Sequence, residues 1–202
     1  MSFDTLILAA GHSRRMGQPK ALLQYNGKTL VEHILGLAAQ ATPGKVVLVC
    51  GHPSGESTLK REVALHLGRP ILSSLVVVEG KSDGHPIDSM RCGIRELPRP
   101  NRLLLWPVDM VFENPGLIEK LASSFEEDAD KIARPIFDKQ HGHPVLFGCQ
   151  ARKELTTPLA DEGAHRVVHH NPDRLVDIQC ADPRITQAMN TPQEARRCGL
   201  TL

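Results

Sequence analysis

The chain has 202 residues, 41% hydrophobic and 23% charged, enough for one large α/β domain. Its 24 Lys and Arg are nearly cancelled by 23 Asp and Glu, and aromatics make up only 3%, so it lacks both the basic excess and the stacking platforms of a nucleic-acid binder. No apolar run approaches the roughly 20 residues of a membrane span, and five dispersed cysteines without a C-x-x-C pair exclude a disulfide framework or zinc knuckle.

Residues 1–5 carry no basic n-region, and the apolar stretch 6–10 is too short for a signal h-region, so a cytoplasmic protein is expected. Residues 5–10, 45–50, 75–79 and 102–108 are nearly continuous in Val, Ile and Leu and are predicted as buried strands. Between them, 29–40, 55–68 and 87–97 carry helical spacing, with Leu30, Ile34, Leu37 and Ala38 on one apolar face. A β-α-β-α-β-α-β order predicts a mostly parallel sheet with helices on both faces. In the second half, 115–124 is predicted helical, 131–137 and 144–147 as strands, 163–170 as a short helix and 174–178 as a last strand. Pro192 is expected to open a terminal helix. The expectation is a single domain over 1–202, with a nucleotide-binding half to about 110 and an acceptor-binding half beyond it.

The segment Leu8-Ala9-Ala10-Gly11-His12-Ser13-Arg14-Arg15-Met16-Gly17-Gln18-Pro19-Lys20 leaves the first strand where an open α/β sheet binds its ligands. Small Ala9, Ala10 and Gly11 let backbone approach a nucleotide closely, and Arg14, Arg15 and Lys20 can meet phosphate oxygens. The spacing is neither a Walker A loop nor G-x-G-x-x-G. A solvated basic turn would suit any two of these cations, but not the whole string.

That string resembles the L-A-A-G-x-S-x-R-M-G-x-x-K signature of the molybdenum-cofactor nucleotidyltransferase family. The resemblance implies a three-layer α/β/α, Rossmann-like fold whose loop wraps a triphosphate, with Leu8, Ala9, Ala10, Gly11, Ser13, Arg14 and Gly17 binding nucleotide and Arg15 and Lys20 as catalytic phosphate-binding residues. Asp109, closing the strand 102–108, stands at the family's Mg²⁺-holding aspartate, and Mg²⁺ is commonly held by one or two carboxylates plus substrate phosphates. Residues 84–94 resemble a base- and ribose-proximal loop and helix, in which Gly84 and Ser89 match. Gly142-His143-Pro144-Val145-Leu146-Phe147 matches G-H-P-V-L-F, and Asp161-Glu162-Gly163-Ala164 matches G-D-x-G-A, with Ala160 in place of the first Gly. These motifs imply acceptor contacts from Gly142, His143, Asp161 and Gly163. Met189-Asn190-Thr191-Pro192-Gln193-Glu194 resembles D-I-D-T-P-E-D, with Asn190 in place of a metal-site carboxylate.

The resemblance thus implies an Mg²⁺-dependent transferase that moves NMP from an NTP to a phosphorylated small molecule, molybdopterin, and releases pyrophosphate. Ala10, where guanylyl-transferring relatives more often have Gly, leans the expectation towards CTP over GTP. Two alternatives stand beside it: a sugar-1-phosphate nucleotidyltransferase, and a non-catalytic nucleotide-binding module that would account for Asn190. The histidines at 141, 143, 165, 169 and 170 lack the cysteine companions and spacing of a zinc site.

Overall fold

The computed structural model describes residues 2–11, 13–51, 75–80, 85–97, 101–126 and 129–201. The predicted helix 55–68 and the candidate Gly84 lie outside them.

Eight strands make one sheet. In chain order they are β1 (Phe3–Ala9), β4 (Val46–Cys50), β5 (Leu75–Glu79), β6 (Arg102–Pro107), β7 (Ile132–Phe137), β8 (Gln140–His141), β9 (Val145–Phe147) and β10 (Leu175–Gln179). Their spatial order is β10-β7-β9-β6-β1-β4-β5, with β8 pairing off β7. β5, β4, β1 and β6 run parallel, as do β7 and β10. β9 is antiparallel to both of its neighbours, and β8 is antiparallel to β7. A parallel sheet is covered on both faces. Successive β6 residues accordingly divide between two cores, Leu104 and Trp106 into one and Leu103 and Leu105 into the other. This division produces the continuous apolar runs in the sequence.

Helices α1 (Leu30–Ala41), α3 (Gly116–Ser123) and α6 (Pro192–Arg197) cover the first face, and α2 (Pro86–Arg95), α4 (Cys149–Glu154) and α5 (Ala164–His170) the second. The result is three layers. Helix α1 begins at a capping box in which the Thr29 side chain accepts from the Glu32 N–H and Glu32 accepts from the Thr29 N–H, satisfying two otherwise orphaned donors. Strands β2 (Gln24–Tyr25), β3 (Lys28–Thr29) and β11 (Leu200–Thr201) form a second, antiparallel sheet that two-residue strands gave no periodicity to reveal.

Buried arginines fasten the loops to this frame. Arg102 donates to the carbonyls of Ala122 in the last turn of α3 and of Phe125 just past it, and Arg152 to those of Leu97 and Asn101. Arg174, 3% exposed, forks onto Glu154 at 2.7 and 2.8 Å, pairs with Asp130 and donates to the Val167 carbonyl. Hydrogen bonds from Arg174 hold the Glu154 carboxyl below its usual range. A depressed carboxylate contributes its stability above the unfolded value near 4.3 and loses it as pH falls through the folded one. Glu154→Gln leaves Arg174 only the Asp130 carboxylate as counter-ion and is expected to cost about 2 kcal/mol, less than breaking a fully buried pair, because Glu154 is partly in water. Thermal unfolding at pH 7 should then read a midpoint about 4–8 °C lower, with the gap to wild type closing below about pH 4.

Candidate active site

Parallel pairing of β1 with β6 sets their carboxyl ends side by side, and the Val108 N–H donates to the Leu8 carbonyl at 2.9 Å to continue the pairing past the last strand residues. A cleft of about 800 Å³ opens above those ends. Leu8, Ala9, Ala10, Gly11, Ser13, Arg14, Arg15 and Lys20 line it from the first loop, Ser89 from α2, Asp109 from the β6 end and Asn190 from the segment before α6. A Cβ on Gly80 would come within 2.9 Å of the Ala10 Cβ and 2.7 Å of the Ser89 Oγ. Only glycine lets these two residues pack so tightly at the cleft's base.

The loop between β1 and the single-turn helix Lys20–Leu22 is locally self-supported. The Met16 and Gly17 N–H groups both donate to the Ser13 carbonyl, Ser13 has φ +50°, and Gly17 takes φ +76°, where a side chain is disfavoured. Met16 is buried and anchors the turn, while Arg14 and Arg15 remain exposed on the cleft wall. Ser13 Oγ accepts the Lys20 N–H at 3.1 Å, fixing the lysine backbone.

At the far end of the cleft, Lys20 Nζ donates to Asp109 Oδ2 at 2.7 Å and to Asn190 Oδ1 at 2.8 Å. Asn190 is held by Glu194, whose Oε2 accepts from the backbone N–H groups of Asn190 (2.8 Å) and Thr191 (2.9 Å). Those donors keep the Glu194 carboxyl below its usual range. The Met189 N–H also reaches the Asp109 carbonyl at 3.1 Å, so the two site segments are tied directly. A carboxylate oxygen and an amide oxygen therefore converge on one cation. Both are hard donors of the kind that suit Mg²⁺ or Mn²⁺, and an ion held there would complete its shell from phosphate oxygens and water. No cluster of three or more His, Cys, Asp or Glu suited to a metal occurs among the described residues.

A second network braces the segments that carry Lys20, Asp109 and Asn190. Tyr25 OH donates to Glu113 Oε1 at 2.5 Å, while Arg184 donates to Tyr25 OH and Glu113 and forks onto Asp182. Burial, together with the Glu113 hydrogen bond, pushes the Tyr25 phenol up to about 12. Sequence reading missed this network, because its members are far apart in the chain. It also missed Glu194, although Thr191-x-x-Glu194 spells a capping box.

The four residues expected at the acceptor lie elsewhere than on the cleft lining. Gly142 packs against the Ile185 backbone, where a Cβ would meet the Ile185 carbonyl at 2.2 Å. His143 bonds the Leu105 backbone and lies within electrostatic range of Asp109; burial pushes its imidazole below the usual range, and its Nδ1 has no partner. Asp161 accepts from Arg91 Nη2 at 2.7 Å, and Gly163, at φ +121°, leads into α5.

Residues 5–175 match the model of the MobA-like NTP transferase domain. A molybdenum cofactor guanylyltransferase of Pseudomonas syringae pv. tomato is 27% identical over 93% of this chain and 88% of its own. A nicotine blue oxidoreductase of Paenarthrobacter nicotinovorans is 28% identical over 95% of this chain and 94% of its own. Among solved structures, Rv0371c of Mycobacterium tuberculosis H37Rv superposes with a TM-score of 0.79 at 23% identity over 98% of both chains. Its complex with manganese superposes with a TM-score of 0.74 at 22% identity, covering 98% of this chain and 97% of that one.

Tyr25 is the only tyrosine in the chain, so phenolate absorbance titrates it alone. Its midpoint is expected near 12, and Glu113→Ala should move it down towards the ordinary value of about 10. A raised phenol contributes stability below its unfolded value and loses it as pH climbs from about 10 to the folded midpoint. Unfolding curves across that window should show the loss in wild type and a smaller one in the variant.

Proposed function

The chain belongs to the MobA-like NTP transferase domain family, and from that premise we propose that it transfers a nucleoside monophosphate from an NTP to a phosphorylated acceptor. The observation that carries the reading is the cleft itself: three cations of one loop, Arg14, Arg15 and Lys20, face a single carboxylate at the end of the neighbouring parallel strand. An acceptor phosphate is already an anionic nucleophile, so positioning and charge neutralisation suffice. Its oxygen attacks the α-phosphorus, the bond to the bridging β-phosphate oxygen breaks, and pyrophosphate leaves. Arg14 and Arg15 hold the departing phosphates, and Lys20 steadies the charge that develops on them. A divalent ion held by Asp109 and Asn190 would supply further charge neutralisation at the triphosphate, and Mg²⁺ is the ion we assign.

Molybdopterin is the acceptor proposed, in keeping with the name of the Pseudomonas relative. Within this reading it approaches from the side of Gly142 and His143, the part of the expected acceptor set that lies near Asp109. CTP is the nucleotide proposed. Support comes from the Ala10 methyl, which lines the cleft where a glycine would leave more room for a purine. The guanylyltransferase name of that relative makes GTP the competitor that matters.

Steady-state pyrophosphate release, measured with molybdopterin and each of the four NTPs, tests the assignment. Arg15→Ala and Lys20→Ala are each expected to lower kcat/KM by about 10²-fold, the scale of losing one charge-stabilising group, and Asp109→Asn should abolish turnover. Wild-type rates in the first two variants would remove the phosphate cradle. Preference for GTP would reverse the base assignment, and absence of pyrophosphate with every nucleotide would leave the redox activity named for the Paenarthrobacter relative as the reading to pursue.

A further inference from the structure

Three features of the Lys20 contact belong together. Its ammonium fills the space between the two oxygens best suited to a divalent ion, Asp109 Oδ2 and Asn190 Oδ1. Its backbone is pinned, by the Ser13 Oγ contact on the N–H and by the Leu23 N–H on the carbonyl, so only the side chain is free to leave. The cations Arg14 and Arg15 line the same cleft, exposed, and Arg15 lies within electrostatic range of the Glu194 carboxylate. An ammonium and a divalent ion cannot share that gap: metal–oxygen bonds are about 2.0–2.1 Å for Mg²⁺, and two cations at such separations repel strongly.

We propose that Lys20 is the resident counter-ion of the metal pocket, displaced by the triphosphate, so that metal and nucleotide are admitted together and metal alone is refused. The proposal rests on the nucleotidyltransferase reading for the identity of the ligand that displaces it. Asn190 fits the arrangement. Against one carboxylate and one neutral amide, the lysine already balances the pocket charge, leaving no net negative charge to draw in a bare divalent ion. The incoming triphosphate meets Arg14 and Arg15 first, and its γ- and β-oxygens then offer Lys20 a more highly charged partner than Asp109. As the stem swings to the phosphates, Asp109 and Asn190 are released together, because one group had occupied both.

The test is Mn²⁺ binding followed by electron paramagnetic resonance of the free ion, for wild type, Lys20→Met and Lys20→Gln, with and without a non-hydrolysable NTP analogue, corrected for the analogue's own Mn²⁺ affinity. Circular dichroism verifies that each variant is folded. Without nucleotide, both variants are expected to bind Mn²⁺ at least about tenfold more tightly than wild type, as removal of a competing charge requires. The nucleotide should tighten Mn²⁺ binding markedly in wild type and much less in the variants. Unchanged or weaker nucleotide-free affinity in the variants overturns the proposal. Wild type that binds Mn²⁺ equally well with and without the analogue overturns it with no variant needed. Failure of wild type to bind the analogue at all refutes the nucleotidyltransferase reading instead, while the nucleotide-free comparison still decides whether Lys20 and metal compete.

Discussion

Everything at the mouth of the sheet follows from the parallel register of β1 against β6. Two strands from distant parts of the chain run the same way and end at the same level, so the loop leaving one and the aspartate closing the other share one edge. Were the pair antiparallel, the cations of residues 14–20 and the Asp109 carboxylate would stand at opposite ends of the sheet. Placing the carboxyl ends of parallel strands together is what makes open α/β sheets good hosts for nucleotides. Here one backbone hydrogen bond beyond the strand ends, from Val108 to Leu8, keeps the two loops from splaying.

Legibility from sequence followed the strength of the local signal. The buried strands were read to within two residues because burial on both faces leaves runs dominated by Val, Ile and Leu, and Leu30, Ile34, Leu37 and Ala38 do face the core predicted for them. Glycine and basic residues at close spacing made the first loop stand out, and Asn190 was singled out by its departure from a pattern. The contact of Lys20 with both Asp109 and Asn190 was illegible, since it joins positions 89 and 170 residues apart. The antiparallel β9 was hidden for a related reason. A three-residue buried strand reads the same in either direction, and only the turns before it reverse the chain.

The polar side chains divide into two kinds. Arg102, Arg152 and Arg174 are spent on the frame, each donating to backbone carbonyls and so tying helix ends to strands. Arg14 and Arg15 have no such duties and stay in water on the cleft wall, where rotamer freedom is kept. The contrast separates guanidinium groups that hold the architecture from those left exposed in the cleft, although composition counts them alike. His143 falls between these kinds. Burial favours its neutral form, the Leu105 carbonyl orients it, and its Nδ1 has no hydrogen-bond partner.

The small sheet has a consequence for how the molecule comes into being. β11 pairs Leu200 with Tyr25 and Thr201 with Gln24, joining positions separated by most of the polypeptide, and the Tyr25, Glu113 and Arg184 network crosses the same divide. Contacts of such long sequence separation carry the largest loop-closure penalty and form late. On the ribosome the β1 loop and Asp109 emerge long before Asn190, so the second oxygen partner of Lys20 is the last part of the contact to be made. Completion of the site and closure of the fold are one event. A chain that has not threaded residues 184–201 back onto β2 presents basic residues to solvent but lacks the Asn190 wall of the cleft.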